Sequence, residues 1–217
     1  MRVLLYDTET NGLPKRWNAP PTDVGNWPVI LTIAWQIWDF GVLDAPVLIE
    51  KAERLVDPGS SIVWDADAEK IHGISLELAR TEGQNPNVIF PEFMEKARTS
   101  DLVVAHNLAF DKSVVLASLY RLNPAMRVDW WPRMEYCTCV NTAMLCKLPP
   151  VCKNPKPSDP YKRPRLPELY AYLFEKQPDL KLHTAAGDTS VLTDCFLELV
   201  RRRVIPLERW AAACRRV

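Results

Sequence analysis

The first clear pattern along the chain is a short apolar run, Val3-Leu4-Leu5-Tyr6, that ends in two acids, Asp7 and Glu9, before the chain turns at Asn11-Gly12. Residues 2–7 read as a strand, and 11–28 as a loop holding Asn-Gly, Asn26 and four prolines. The β-branched and aromatic run 29–40 predicts a second strand, and the alternation over 45–56 a third. Strands this close in sequence tend to pair antiparallel, so the fold is expected to begin as a three-stranded meander. Helical spacing follows. A helix is expected within 60–74, ended by Gly73, another after Ser75 as N-cap, and a third opened by Asn87. Residues 101–107 have the composition of a short buried strand, and 109–122 the apolar spacing of a helix. A less regular stretch runs to a proline-rich loop at 149–164. Two amphipathic helices close the pattern, at 166–176 and at 184–203, the latter capped by Thr184.

Strands first, then a strand–helix unit, then helices, favour an α/β sandwich with a mixed central sheet flanked by helices. The 217 residues suffice for one large domain. It is expected over 1–205, with 206–217 as a basic C-terminal tail. A composition of 47% hydrophobic and 25% charged residues is that of an ordinary globular chain. The formal net charge is zero, which disfavours a binder of long duplex DNA. Basic residues do cluster late, in 161–165, 201–203 and at Arg215-Arg216, where they would steer a polyanion or form a solvated face. No stretch approaches the roughly 20 apolar residues of a membrane helix, and an acid arrives too early for a signal peptide. Six cysteines without paired C-x2-C knuckles fit free thiols in a reducing compartment such as the cytoplasm better than structural zinc.

Three places join acids to unusual neighbours. Asp7 and Glu9 are two apart on a strand, so they share a face with Val3 and Leu5, where two acids repel. In AHNLAFD, 105–111, a short strand runs into a helix that carries Asp111. In HTAAGD, 183–188, His183 precedes a helix start and Asp188 falls in its first turns, where the helix dipole favours a negative charge. A loop there can fold the imidazole toward the acid, and a neutral imidazole can take a proton from water. Brought together, four carboxylates would raise one another's pKa values unless cations sit among them. Oxygen-only ligands point to two Mg²⁺ or Mn²⁺ ions, the equipment for in-line phosphoryl displacement. Taken singly, each of these residues is more simply a surface acid or a loop histidine; their joint occurrence carries the reading.

In this order YDTET, HNLAFD and HTAAGD resemble the three motifs of the DnaQ-like 3′→5′ exonucleases, and more narrowly the subgroup with four acids and a histidine (DEDDh). IHGI at 71–74 and WPVILTIAWQIWD at 27–39 are also similar to family segments, so the resemblance spans about residues 1–205. It implies a ribonuclease-H-like sandwich. Asp7, Glu9, Asp111 and Asp188 would ligate two Mg²⁺ or Mn²⁺ ions, and His183 would act as general base. Thr10, Asn11, Gly12 and Leu13 would hold the terminal nucleotide, with Leu13 against its base. His106, Asn107 and Phe110 would line the other side, and His72 and Asp67 match family positions near the 3′ end. The expected activity is hydrolysis of phosphodiester bonds at single-stranded DNA 3′ ends, releasing nucleoside 5′-monophosphates, in a role such as proofreading or repair. An exoribonuclease acting on RNA or short oligonucleotides is the alternative, and a non-catalytic interaction module on the same fold a second. A polymerase or another protein is a candidate partner. Of the eight tryptophans, Trp17 and Trp27 in the loop after the first motif are the ones placed to touch substrate.

Overall fold

A computed structural model describes all residues except 43, 61, 130, 133, 152–159, 181, 209 and 211–217. Its centre is a five-stranded sheet in the order β3-β2-β1-β4-β5. The strands are β1 (Arg2–Thr10), β2 (Ile30–Asp39), β3 (Val47–Leu55), β4 (Leu102–Ala105) and β5 (Met134–Cys137). β1, β2 and β3 form the antiparallel meander, while β4 and β5 run parallel to β1, so the sheet is mixed. The helices are α1 (Ala66–His72), α2 (Leu76–Glu82), α3 (Pro86–Arg98), α4 (Leu108–Leu122), α5 (Thr138–Asn141), α6 (Ala143–Cys146), α7 (Leu166–Phe174) and α8 (Ala185–Arg201). None of the described helices is long and apolar enough to cross a membrane.

The period-two alternation of β1 creates two cores. Leu4 and Tyr6 face one side, with Ile33 and Trp35 of β2, Phe93 of α3 and Val115 of α4. Val3 and Leu5 face the other, with Leu169 of α7 and Phe196 of α8. Helices therefore cover both faces of the sheet. The second core continues through Ile205 and Leu207 to Trp210, which packs on Tyr136 at 5.8 Å. The packed unit thus runs past the expected boundary at 205, because these apolar residues complete the cover over α8.

Several local expectations shift. Asp65, not a residue near 60, caps α1, its carboxylate accepting from the N–H groups of Asp67 and Ala68. α3 is capped by Asn85 rather than Asn87, since Pro86 can occupy the first turn, where no N–H partner is needed. β5 escapes a sequence reading because four residues, MEYC, show too little alternation; its pairing with β4 creates it. Gly73 does end α1 in a left-handed conformation, φ 75°. Residues 152–159 of the proline-rich loop, half of it, and the Arg215-Arg216 pair lie outside the described residues.

β1 and β4 are parallel, so their carboxyl ends reach the same edge of the sheet, the usual place for a site in open α/β folds. The N-terminus of α4 follows β4 there directly. The order of that edge depends on the first core, where fully buried Phe93 stacks between Tyr6, at 5.1 Å, and Trp35, at 5.8 Å. Phe93→Ala should destabilise the fold by about 3–5 kcal/mol. Urea denaturation with a loss under about 1 kcal/mol would mean that this core collapses to fill the gap.

Candidate active site

β1 continues past the apolar run to Thr10, so Asp7 and Glu9 lie on the strand itself. They keep the parity of Val3 and Leu5 and thus face α8. α8 opens at Ala185; its cap Thr184 accepts from the Gly187 N–H at 3.1 Å, and Asp188 occupies the first turn. Carboxylate oxygens of Asp7, Glu9 and Asp188 lie within 4.8 Å of one another. Asp111 comes from the opposite face, on α4, and is buried. Thr8, whose parity is that of Tyr6, donates from its hydroxyl to Asp111 Oδ1 at 2.8 Å. A strand alternation thus sends two acids to one face and the fixing hydroxyl to the other.

Burial and mutual repulsion dominate the energetics of the cluster, and only Asp188 is eased by a nearby positive group, His183. Burial raises the Asp7 pKa well above the ordinary value, with the charges of Asp111, Asp188 and Glu9 adding to it. Glu9 is pushed up to about 8 by burial and then by Asp188 and Asp111. Asp111 is raised to about 7 by burial, against which the Thr8 hydrogen bond acts. Asp188 is raised by burial and eased by the His183 backbone. Closely spaced, oxygen-only donors that repel each other are the set a hard divalent cation fits. Asp7, Glu9 and Asp188 would hold it, with Asp111 beside them.

His183 is exposed and has a left-handed backbone, φ 62°. That turn lets its N–H donate to Asp188 Oδ2 at 3.1 Å, which leaves the imidazole at the mouth of a cleft. The cleft, of about 600 Å³, is lined among others by Asp7, Asn107, Arg163, Arg165, His183 and Asp188. The two arginines come from the basic run 161–165, but their place at this wall is visible only in the fold. Their charge suits a phosphate-bearing ligand.

The remaining candidates fall in distinct settings. Asn11 is a clamp: its side chain accepts from the Val29 N–H at 2.6 Å and donates to the Val63 carbonyl at 2.8 Å. Thr10 donates to the Gly12 carbonyl at 2.7 Å. Gly12 has φ 148°, and a Cβ there would stand 3.1 Å from Asp65 Oδ2, so glycine suits both its backbone and its space. Leu13, 72% exposed, leans into solvent. Phe110 meets Trp17, at 5.9 Å. Asn107 is exposed and left-handed, φ 79°, at the start of α4. His72 is buried. Its Nδ1 accepts from the Ile74 N–H at 3.0 Å, and the residue lines a cavity with Thr32, Glu53 and Thr184. His106 is engaged through both ring nitrogens, to Thr138 Oγ1 at 2.8 Å and the Pro164 carbonyl at 2.9 Å. Since Pro164 offers only an acceptor, Nε2 donates and Nδ1 accepts, and burial holds the ring neutral with a pKa lowered to about 4. Asp67 is an exposed partner of Lys70 at 2.7 Å and lines none of these cavities. Trp27 is buried, donating to the Pro20 carbonyl at 3.1 Å, and so is part of the loop core.

The sheet, its two helical covers and the acids at the carboxyl edge define a ribonuclease-H-like α/β fold of the kind found in exonucleases. Solved structures of exonuclease I share it. The enzyme from Methylocaldum szegediense superposes with a TM-score of 0.68 at 18% identity, over 93% of this chain and 41% of that one. A zinc-bound complex of E. coli exonuclease I with single-stranded DNA gives 0.68 at 17% identity, over 96% and 42%. E. coli exonuclease I with a dA16 oligonucleotide gives 0.68 at 18%, over 93% and 41%. The chain therefore spans less than half the length of these proteins. No family model and no curated protein matches the sequence.

A direct consequence concerns pH. Glu9 binds its proton more tightly folded, at about 8, than unfolded, near the ordinary 4.5. The folded state thus holds a proton the unfolded chain has released, and stability falls as pH rises across that window. Urea titrations in EDTA should show this fall, and Glu9→Gln should flatten it. An equal slope in the variant would place the repulsion elsewhere.

Proposed function

We propose that the protein is a divalent-metal-dependent 3′→5′ exonuclease that hydrolyses single-stranded DNA from its 3′ end and releases nucleoside 5′-monophosphates. The observation that carries this reading is the convergence of Asp7, Glu9 and Asp188 within 4.8 Å, with Asp111 anchored behind them. The fold shared with exonuclease I, some of whose structures are complexes with single-stranded oligonucleotides, adds support.

When bound, two cations of the Mg²⁺ or Mn²⁺ kind would supply charge neutralisation and Lewis acidity at the phosphate. The chain does the rest. Asp7, Glu9, Asp111 and Asp188 would hold the ions. Thr8 fixes the carboxylate of Asp111. His183, its backbone tied to Asp188, presents an imidazole that takes the proton of the attacking water. Arg163 and Arg165 on the cleft wall attract the backbone phosphates. Leu13, standing out from the rigid 10–13 turn, packs against the terminal base. Asn107 and Phe110 bound the opposite side, and His72 backs the sugar from its cavity.

The test is a time course on 5′-labelled single-stranded DNA and RNA of one sequence, with Mg²⁺, Mn²⁺ or EDTA. A ladder shortening from the 3′ end, abolished by EDTA and by Asp188→Ala, is expected, with DNA the faster substrate. Faster loss of the RNA would reassign the enzyme as an exoribonuclease. His183→Ala should be slower by roughly 10²–10⁴-fold, the range for a general base, at unchanged thermal stability. Activity near wild type in Asp188→Ala would remove the carboxylates from the chemistry.

A further inference from the structure

The loop between β1 and β2 carries one exposed aromatic side chain on a hydrogen-bonded backbone. Trp17 is 60% exposed, and its ring lies 5.9 Å from Phe110, tilted by 48°. Phe110 precedes Asp111 in the first turn of α4, so the ring pair borders the acid cluster. A single exposed apolar side chain is ordinary by itself; the ring beside this one and the bracing of its backbone set it apart.

The backbone beneath Trp17 is fixed from two directions. Asn26, 5% exposed, accepts from the Arg16 N–H at 2.8 Å, donates to the Arg16 carbonyl at 3.0 Å, and takes the Lys15 N–H on its own carbonyl at 3.0 Å. Arg121, from the far end of α4, donates to the carbonyls of Val24 at 2.8 Å, Trp27 at 2.5 Å and Pro28 at 3.3 Å. The helix that carries Phe110 and Asp111 therefore also braces the loop that carries Trp17. The same loop begins at exposed Leu13, and beside Trp17 stand the exposed cations Lys15 and Arg16, the latter paired with Asp23 at 2.9 Å. A rigid apolar plate flanked by positive charge matches one chemistry well: a flat base on a phosphate backbone.

We propose that Trp17 and Phe110 form a stacking platform for an unpaired nucleobase of the strand whose 3′ end enters the acid cluster. The proposal rests on the exonuclease reading and extends it. Stacking uses the π-face that every base has, so the platform tolerates any sequence but requires the base to be free of a complementary partner. It also favours strands over isolated mononucleotides, because a neighbouring nucleotide supplies the stacked base. That gives a chain of zero net charge an anchor that does not depend on salt alone.

The experiment is a binding measurement, independent of turnover. Asp188→Ala protein, with one repelling carboxylate removed, is titrated into a 5′-fluorescein-labelled single-stranded oligonucleotide of mixed sequence, in EDTA, and anisotropy is read. Adding Trp17→Ala should weaken binding by about tenfold or more, whereas Trp17→Phe should stay within about threefold, as expected for one stacked base. A single abasic residue moved along the strand should cost the Trp17-containing protein the same factor at one position and cost the Trp17→Ala protein nothing there. Equal affinities of the alanine and tryptophan forms, or a phenylalanine form as weak as alanine, would overturn the platform. So would an unchanged affinity accompanied by a change of molar mass in Trp17→Ala, which would make the face a contact between copies of the chain. The two readings fail separately. A wild-type protein that binds through Trp17 yet cleaves nothing would discard the exonuclease and keep the platform; cleavage with unchanged binding would do the reverse.

Discussion

The structure is organised around an unfavourable interaction. Asp7, Glu9 and Asp188 converge within 4.8 Å, with Asp111 behind them, and burial adds to their mutual repulsion. A fold tolerates this only where neighbouring parts are stable enough to hold the groups in place. Here two apolar cores back the same strand, one on each face, and the acids stand at the point where that strand leaves the core. The arrangement stores a demand for positive charge at one edge of the sheet, and that demand is the physical content of the proposed metal chemistry.

What surrounds the acids is braced largely by hydrogen bonds from side chains and backbone rather than by ion pairs to the acids. Thr8 binds Asp111, the His183 N–H binds Asp188, Asn11 ties β1 to residues 29 and 63, and Arg121 ties α4 to the loop before β2. None of these brings a cation into the cluster itself. Arg163 and Arg165 line the wall of the cleft, and Arg165 is paired there with Glu168 at 3.3 Å. Acids therefore crowd the centre of the site and basic side chains stand at its rim, a division that the proposed phosphate chemistry would use.

The exposure of Trp17 belongs to the same logic. The loop after the first acid pair has its own small core, in which Trp27 and Asn26 are buried, and so it can hold an apolar side chain outward. Trp17 and Trp27 look alike as sequence, ten residues apart in one proline-rich loop. Their opposite fates come from Pro20, whose carbonyl takes the Trp27 indole N–H, and from Phe110, which gives the Trp17 ring a side but not a cover.

Local sequence was enough to read the meander, the short strand near 101–107, the principal helices and the shared face of Asp7 and Glu9. Each follows from local periodicity and capping, which depend on neighbours in the chain: β1 alternation, Gly73 at a left-handed stop, Thr184 as a cap. Features that depend on partners distant in sequence were set by packing. β5 exists because β4 pairs with it, and His106 is a fixed, neutral wall residue because Thr138 and Pro164 reach it. Thr8 acquires its task 103 residues away, at Asp111. Asp67 is left on an exposed helix face, while Asp65, two residues earlier, caps that helix and stands against Gly12. Local patterns fix which way a side chain points along its own element; which groups it then meets is set by the packing of elements that the pattern of any one of them does not encode.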